Sequence, residues 1–282
     1  MPMRYEYWRP AADLARYVGA YYIMEVPEGG GDIMRAQLPF LRFILSGTSQ
    51  LEHDGETVSH SAPKALVCGP SFRTGRAMVS PGSSILAVMI KPEGWQALLG
   101  VPMRELSNRI ALLDDFHPVD MASLRDRLAG AADDAEMFGV IDCLLRGMIS
   151  ATRAHNFTFL QEASAWLGQA RNESIDTLLR QSGLSHRQVD RLCAAYFGAP
   201  PKRLQRTYRA LHAATQLAWT DETDWRQVVG EGYYDQSHFI KDFKAMIGCT
   251  PGEYVRGPNM MIRFDLQKRL AIKHDSFFSI IA

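Results

Sequence analysis

The chain has 282 residues, is 46% apolar and carries as many basic as acidic side chains, 31 of each. This length predicts two domains, and the apolar fraction is high enough for packed cores, which excludes a disordered chain. The four cysteines lie far apart without a C-x-x-C pair, and no apolar run reaches the roughly 18 residues of a membrane span. We therefore expect a cytoplasmic protein with reduced thiols, no signal peptide and no membrane contact.

Residues 1–115 have the pattern of short strands and turns. Apolar or alternating runs at 20–24, 40–45 and 85–90 are bounded by clusters of glycine and proline. Residues 53–56 have the composition of a hairpin turn. The pattern predicts a small β-sandwich or barrel, and an α+β fold class for the chain as a whole.

The predicted β domain lacks the marks of an enzyme. Metal-dependent barrels need close histidines on facing strands together with a carboxylate, whereas His53 and His60 lie seven positions apart across the expected hairpin. No Walker, dinucleotide or nucleophile-elbow motif occurs in the sequence. We expect no catalytic residue, no metal and no other cofactor, and the mouth of the barrel remains a candidate site for a small molecule.

Arg42 is the candidate effector-binding residue. It projects from an otherwise apolar run, where a guanidinium could pair with a carboxylate or phosphate of an effector. The alternative is an outward-facing arginine in an ordinary salt bridge, and the sequence alone favours that alternative.

Two amphipathic helices should follow the β domain. Met121, Leu124 and Leu128 recur at helical spacing, and so does the set Phe138, Ile141, Leu145 and Met148. The pair could pack on its own sandwich or form a contact between two copies of the chain. This domain covers residues 1–156, with a link to the next domain near 153–158.

Residues 175–206 and 225–256 repeat one pattern at an offset of 50 positions. Each copy contains a short amphipathic helix, a glycine-containing turn, an N-cap residue (Ser185 or Asp235) and a second amphipathic helix that ends at glycine. This is the pattern of a helix-turn-helix unit, whose second helix enters the major groove of DNA. An unrelated helical hairpin is a fair alternative for one copy, but two copies in register favour two such units.

A helix-compatible stretch joins the two copies, from Pro201 to about Trp219. About 19 residues at about 1.5 Å each span roughly 28 Å. Successive major-groove segments on one side of B-DNA lie about 34 Å apart. The spacing therefore predicts that one chain holds two recognition helices in adjacent groove segments.

Basic residues are concentrated around the first copy. Residues 180–209 hold seven lysines and arginines against the single acid Asp190, whereas residues 1–156 hold 15 basic against 18 acidic side chains. A local excess of positive charge can neutralise phosphates even though the whole chain is neutral.

The second copy carries a specific resemblance. The stretch 232–244 (GYYDQSHFIKDFK), followed by 248–251 (GCTP) and Tyr254, closely resembles the signature of AraC/XylS-type transcriptional regulators. The first copy, with SHRQVDRL at 185–192, resembles the weaker first unit of that family. The resemblance covers residues 157–257. Regulators of this family commonly carry a cupin-like sensor domain, and residues 90–106 also resemble such domains.

The resemblance implies which side chains contact DNA. Those implied to face base edges are Arg187, Asp190, Arg191, Gln236, Ser237, His238 and Lys241. The implied phosphate contacts are Lys202, Arg206, Arg209 and Lys244. Arginine suits the O6/N7 pair of guanine, whereas Lys241, where arginine is commoner, offers only a point charge. Asp190 would either accept from a cytosine amine or pair with Arg187 or His186.

We therefore predict a one-component regulator that is not an enzyme. Its parts are a cupin-like sensor domain with a helical pair over 1–156, a double helix-turn-helix domain over 157–258 and a C-terminal extension over 259–282 that docks on a neighbouring surface. Double-stranded DNA is the predicted partner, and a small-molecule effector, a second copy of the chain and RNA polymerase are further candidates. The alternative is a small-molecule-binding or isomerase-type cupin whose helical half is an interaction module.

Overall fold

The computed structural model of the chain describes residues 3–53, 55–149, 157–168, 174–220, 224, 236–257 and 265–272. Within them, the N-terminal domain is a sandwich of two antiparallel sheets, as the sequence predicts. The strands are β1 Arg4–Trp8, β2 Val18–Val26, β3 Gly30–Met34, β4 Phe40–Ser46, β5 Thr48–His53, β6 Glu56–Ser61, β7 Lys64–Cys68, β8 Gly75–Val79, β9 Ser83–Ile90 and β10 Ile110–Leu112. The larger sheet has the order β1-β2-β9-β4-β7-β10, and the smaller sheet has the order β3-β8-β5-β6.

The larger sheet is buried on both faces. Along β9, Ile85 and Met89 belong to the core between the sheets, whereas Leu86, Val88 and Ile90 belong to a second core under helices on the outer face. A strand that is buried on both sides is apolar at every position rather than at alternate ones. This explains why the central strands appear in the sequence as continuous apolar runs.

The predicted hairpin at 53–56 is confirmed. His53 and Glu56 face each other at the end of the β5–β6 ladder, and Gly55 between them has a φ of 85°. A two-residue turn of this kind needs positive φ, which glycine adopts without steric cost. Asp54 lies outside the described residues.

The helices with both ends described lie in both domains. They are α1 Pro92–Leu99, α2 Met121–Ala129, α3 Asp134–Met148, α4 Phe157–Gly168, α5 Ile175–Ser182, α6 His186–Phe197, α7 Pro201–Trp219, α8 Gln236–Ile247 and α9 Pro251–Arg256. Short 3-10 turns lie at Met103–Leu106, Leu113–Asp115 and Arg269–Ile272. No helix in these ranges has the length and apolar character needed to cross a membrane.

The helical pair α2 and α3 packs on its own sandwich, which is one of the two arrangements that the sequence left open. The predicted apolar stripes, including Leu124, Leu128 and Ile141, share one core with the outer face of the larger sheet. Asp120 and Asp133 cap the two helices by accepting the backbone N–H groups of Ser123 and Glu136. The apolar stripes are thus used inside the chain.

The described helices of the C-terminal part pack directly against the sandwich. One hydrophobic core contains side chains from between the sheets together with buried residues of α4, α6, α7 and α8. Backbone and side-chain hydrogen bonds cross this boundary: Ala36 N–H donates to the Met246 carbonyl at 2.7 Å, and the Ser107 hydroxyl donates to the Gly198 carbonyl at 2.7 Å. The N-terminal domain therefore contacts both α6 and α8 near their C-terminal ends.

The C-terminal extension docks on the N-terminal domain, as the sequence predicts, in the part that the structure describes. Leu266 and Ile272 are buried, whereas Leu270 is exposed. The apolar residues 277–281 and most of the predicted link at 153–158 lie outside the described residues, although α4 begins at Phe157.

Two helical glycines give a matched test of this packing. A Cβ atom on Gly94 in α1 would lie 2.1 Å from the Tyr17 carbonyl oxygen, whereas one on Gly139 in α3 would meet no atom within 4 Å. We expect Gly94→Ala to lower the free energy of unfolding by about 1–3 kcal/mol through overpacking against backbone. Gly139→Ala should raise it by up to about 1 kcal/mol through helix propensity. Urea unfolding of the full chain measures both, and equal effects of the two substitutions would contradict the close approach of α1 to Tyr17.

Candidate nucleic-acid interface and effector pocket

The first helix-turn-helix unit is present as the sequence predicts. α5 ends at Gly183, which has a φ of 65°, and α6 begins after Ser185. The Ser185 hydroxyl accepts the Gln188 N–H, and the Gln188 side chain accepts the Ser185 N–H at 3.0 Å. This reciprocal capping box fixes the start of α6, and Gly198, with a φ of 86°, ends the helix.

α6 separates an apolar edge from a polar one. Val189 and Cys193 are buried, and burial raises the pKa of the Cys193 thiol to about 12, so the thiol stays protonated at neutral pH. The predicted base-reading residues Arg187, Asp190 and Arg191 are all exposed on the opposite edge. No ion pair joins Asp190 to Arg187 in the described structure, which leaves its carboxylate available to an outside donor.

The second unit is described from its recognition helix onward. Residues 225–235 lie outside the described residues, and they include the apolar positions of the predicted first helix, the glycine turn and the predicted N-cap Asp235. α8 buries Phe239 and Phe243, whose rings meet edge to face with centroids 5.5 Å apart. The four predicted base-reading residues, Gln236, Ser237, His238 and Lys241, are among its exposed side chains.

α9 closes the second unit behind α8. Thr250 and Glu253 form a capping box, and hydrogen bonds from Thr250 lower the pKa of Glu253. Tyr254 is buried, with its ring centroid 5.7 Å from that of Phe243. These aromatic contacts hold the inner edge of α8 and leave its outer edge exposed.

α7 is the connecting helix, and it begins at Pro201 and ends at Trp219, as predicted. Its 19 residues correspond to a length of about 28 Å at about 1.5 Å per residue. Its buried residues include Leu204, Leu211 and Leu217, which pack in the core shared with the N-terminal domain. The helix is therefore fixed along its length by packing.

Asp242 is a buried residue of the second unit that the sequence analysis did not single out. It lies on the buried side of α8, with only 2% of its side chain exposed, and accepts hydrogen bonds from Arg206 Nε at 3.1 Å and Arg206 Nη2 at 2.5 Å. These hydrogen bonds raise the pKa of Arg206. The signal was an acidic residue between Phe239 and Phe243, within the apolar edge of the helix. The pair fixes the orientation of α8 on α7.

The predicted phosphate contacts divide into two classes. Lys202 and Lys244 are exposed near helix ends. Arg206 is committed to Asp242, and Arg209 is half-buried on α7 with contacts inside the protein. The sequence alone could not separate these two classes, because it does not show which side chain a lysine or arginine contacts in the folded chain.

Arg42 points into the sandwich, contrary to the outward-facing arrangement that the sequence alone favoured. It is 4% exposed, donates from Nη1 to the Ser49 hydroxyl at 2.9 Å, and lies over the Phe40 ring with Cζ 5.3 Å from the centroid. Arg42 Nε has no hydrogen-bond partner among the described residues. A buried donor without a partner is costly, which marks the position as able to bind an acceptor.

Arg42 lines a cavity of about 100 Å³ that opens to solvent, here called the sandwich pocket. Its polar wall includes Tyr5, Tyr22, Arg35 and Arg42, and its apolar wall includes Met24, Ile33, Met34 and Val79. Ligand pockets commonly combine an apolar lining with a few polar groups in this way. Within the described residues, no group of three histidine, cysteine or acidic side chains is arranged to hold a metal ion.

Comparison with known proteins gave a match to a family model and matches to solved structures. Residues 178–257 match the family model described as a helix-turn-helix domain. An apo variant of ToxT from Vibrio cholerae matches with a TM-score of 0.52 at 13% identity, covering 83% of this chain and 96% of that one. ToxT from Vibrio cholerae O395 matches with a TM-score of 0.49 at 11% identity, covering 83% and 96%. A cupin superfamily protein from Desulfitobacterium hafniense matches with a TM-score of 0.26 at 12% identity, covering 32% and 77%.

No curated protein sequence matches the chain. The family match shows an AraC-type helix-turn-helix domain in the C-terminal region, so the resemblance seen in the sequence is confirmed there. The likeness to ToxT shows the fold, a sheet-rich N-terminal domain followed by a helical domain.

Arg206 and Arg191 form a matched pair for testing the Asp242 contact. Arg206→Ala leaves a buried carboxylate without its partner, so we expect the free energy of unfolding to fall by about 2 kcal/mol. Arg191→Ala removes the same side chain from an exposed position and should change it by less than about 0.5 kcal/mol. Urea unfolding of the full chain measures both values. A loss for Arg206→Ala no larger than that for Arg191→Ala would remove Asp242 from its orienting role.

Proposed function

We propose that this chain is a DNA-binding transcriptional regulator whose helices α6 and α8 enter adjacent major-groove segments. The observation that carries the proposal is the division of both helices into a buried apolar edge and an exposed polar edge on units joined by one packed helix, α7. The match of residues 178–257 to a helix-turn-helix domain supports the same function.

Sequence readout falls to the exposed edges of the two helices. Arg187 and Arg191 suit the O6/N7 pair of guanine, Gln236 suits the N6/N7 pair of adenine, and Asp190 suits the amine of cytosine. Lys241 contributes a point charge rather than a planar fork. His238 Nδ1 lies 3.8 Å from Asp242 Oδ2, so it stands beside the pair that orients α8 as well as at the surface.

Backbone contact falls to Lys202 and Lys244, which can reach phosphate oxygens from the helix ends. We assign Arg206 and Arg209 a role in positioning the helices rather than in contacting phosphate, because their guanidinium groups already have contacts inside the protein. Contacts to phosphate carry no sequence information, so the two lysines should act on all duplexes alike.

We further propose that a small molecule bound in the sandwich pocket controls DNA binding. Ile33 and Arg35 line the pocket, and the neighbouring Ala36 holds the end of α8 through its bond to Met246. A Cβ atom on Gly248, just after α8, would touch Ile33. A ligand that shifts this strand end would move α8 and so change the balance between DNA-binding and non-binding states. Association of two copies, contact with RNA polymerase and a cytoplasmic location stay predictions.

The alternative, a small-molecule-binding or isomerase-type cupin with a helical interaction module, shares the pocket but assigns no role to the exposed edges of α6 and α8. Selection from a random duplex library with the full chain separates the two proposals. A regulator enriches one long asymmetric site. Recovery of unenriched DNA at low and moderate salt would favour the alternative.

Arg191 and Lys202 test the division between base and phosphate contacts. Arg191→Ala should weaken binding to the selected site by about 1–3 kcal/mol and leave binding to a scrambled duplex almost unchanged. Lys202→Ala should weaken both duplexes alike and reduce the slope of log affinity against log salt by about 1. Fluorescence anisotropy across a salt series measures these effects, with Arg127→Ala on α2 as the control for loss of one positive charge. Equal losses on both duplexes from Arg191→Ala would remove Arg191 from base reading.

A further inference from the structure

Asp265, in the docked segment 265–272, lies at the centre of a buried charge cluster. Its carboxylate accepts hydrogen bonds from the hydroxyls of Tyr5 and Tyr7, and it pairs with Arg269 at 3.0 Å and with Arg35 at 3.5 Å. Burial by itself would raise the pKa of Asp265, but Arg269, Arg35 and the two hydroxyls outweigh it and hold the pKa below its ordinary value. The group is therefore a carboxylate at neutral pH.

Tyr5, Tyr7 and Arg35 belong to the N-terminal domain, and two of them also form part of the wall of the sandwich pocket. Arg35 and Tyr5 line the pocket, and so does Asp265 itself. Arg35 is only 2% exposed, so its positive charge needs a nearby anion in the folded chain. The C-terminal extension thus places an anion in a cationic site of the N-terminal domain. That site is formed by Tyr5 in β1 and by Arg35, which directly follows β3.

The cationic end of the pocket has more donors than Asp265 uses. Arg42 lines the same pocket, is not among the hydrogen-bond or ion-pair partners that the described residues give Asp265, and has no hydrogen-bond partner for its buried Nε among them. Beside it the wall is apolar, with Met24, Ile33 and Val79. This combination suits a small molecule with one carboxylate and an apolar body, because the carboxylate replaces one anion by another and the body covers apolar wall.

The docked segment also contacts α7, the helix that connects the two helix-turn-helix units. The Trp219 indole N–H, at the last residue of α7, donates to the Leu266 carbonyl at 2.6 Å. Leu266 is buried next to Asp265. Release of Asp265 from the pocket would therefore free a contact at the end of α7 as well.

We propose that segment 265–272 is an internal ligand of the N-terminal domain: Asp265 occupies the cationic end of the sandwich pocket, and a small amphiphilic carboxylic acid that enters the pocket displaces it. The consequence for DNA rests on the function proposed above, whereas the competition itself can be measured without DNA. The exchange conserves charge, since one carboxylate leaves Arg35 as another arrives.

Calorimetric titration of the full chain with octanoate and with 1-octanol tests the competition, because the two probes share an apolar chain and differ in charge. Asp265→Asn should bind octanoate at least tenfold more tightly than the unaltered chain, whereas 1-octanol should bind both proteins equally. Asp115→Asn, an exposed position in the same domain, is the control for loss of one negative charge and should change neither affinity. Unchanged or weaker octanoate binding by Asp265→Asn, or no octanoate binding by any of the proteins, would overturn the proposal.

Hydrogen exchange of the unaltered chain gives a second reading that does not depend on how a variant folds. Octanoate should speed amide exchange in the peptide that covers 265–272, and 1-octanol should not. Arg42→Gln should weaken octanoate binding at least tenfold without speeding exchange in that peptide, since Arg42 holds the ligand and not the segment. Octanoate binding without faster exchange there would refute displacement, whereas failure to select DNA, with displacement intact, would count only against the regulator function.

Discussion

The arrangement of this molecule depends on the hydrogen bonds by which the N-terminal domain holds the ends of both recognition helices. The last carbonyl groups of a helix have no partner within the helix. Here Ala36 and Thr74 donate backbone N–H groups to the carbonyls of Met246 and Ala245 in α8, and Ser107 donates its hydroxyl to the carbonyl of Gly198 after α6. The positions of the two exposed polar edges are therefore set by the sandwich as well as by the helical domain.

Within the helical domain, a polar contact and an aromatic cluster fix α8 in different ways. Phe243 and Tyr254 bury the inner edge, which any rotation of the helix would expose. The pair between Asp242 and Arg206 also restricts the rotation of α8 about its own axis. Its two hydrogen bonds would break on a small rotation of the helix, whereas apolar contacts would survive the same rotation. A buried carboxylate is costly without its partner, so the pair contributes more to the choice of one orientation than to net stability.

In the sandwich pocket, an ion pair links the N-terminal domain to the C-terminal extension. Arg35 is buried in the N-terminal domain, and Asp265, with which it forms an ion pair, comes from the far end of the chain. Because Ala36 directly follows Arg35, the charge that Asp265 balances lies one position from the backbone hydrogen bond that holds α8. The wall of the pocket and the hydrogen bond at the end of α8 are therefore adjacent along the backbone.

Local features of the sequence determined the elements and their order. Apolar spacing, the cap at Ser185, the glycine at 198 and the repeat at an offset of 50 predicted the strands, α6, α7 and the exposed edges, since each depends on residues a few positions apart. Only the tertiary structure decided that Arg42 points inward, that Asp242 holds Arg206 and that Asp265 meets Arg35. The reason is physical: those contacts join residues from distant elements, and a charged side chain leaves no periodic trace of the partner that the fold brings to it.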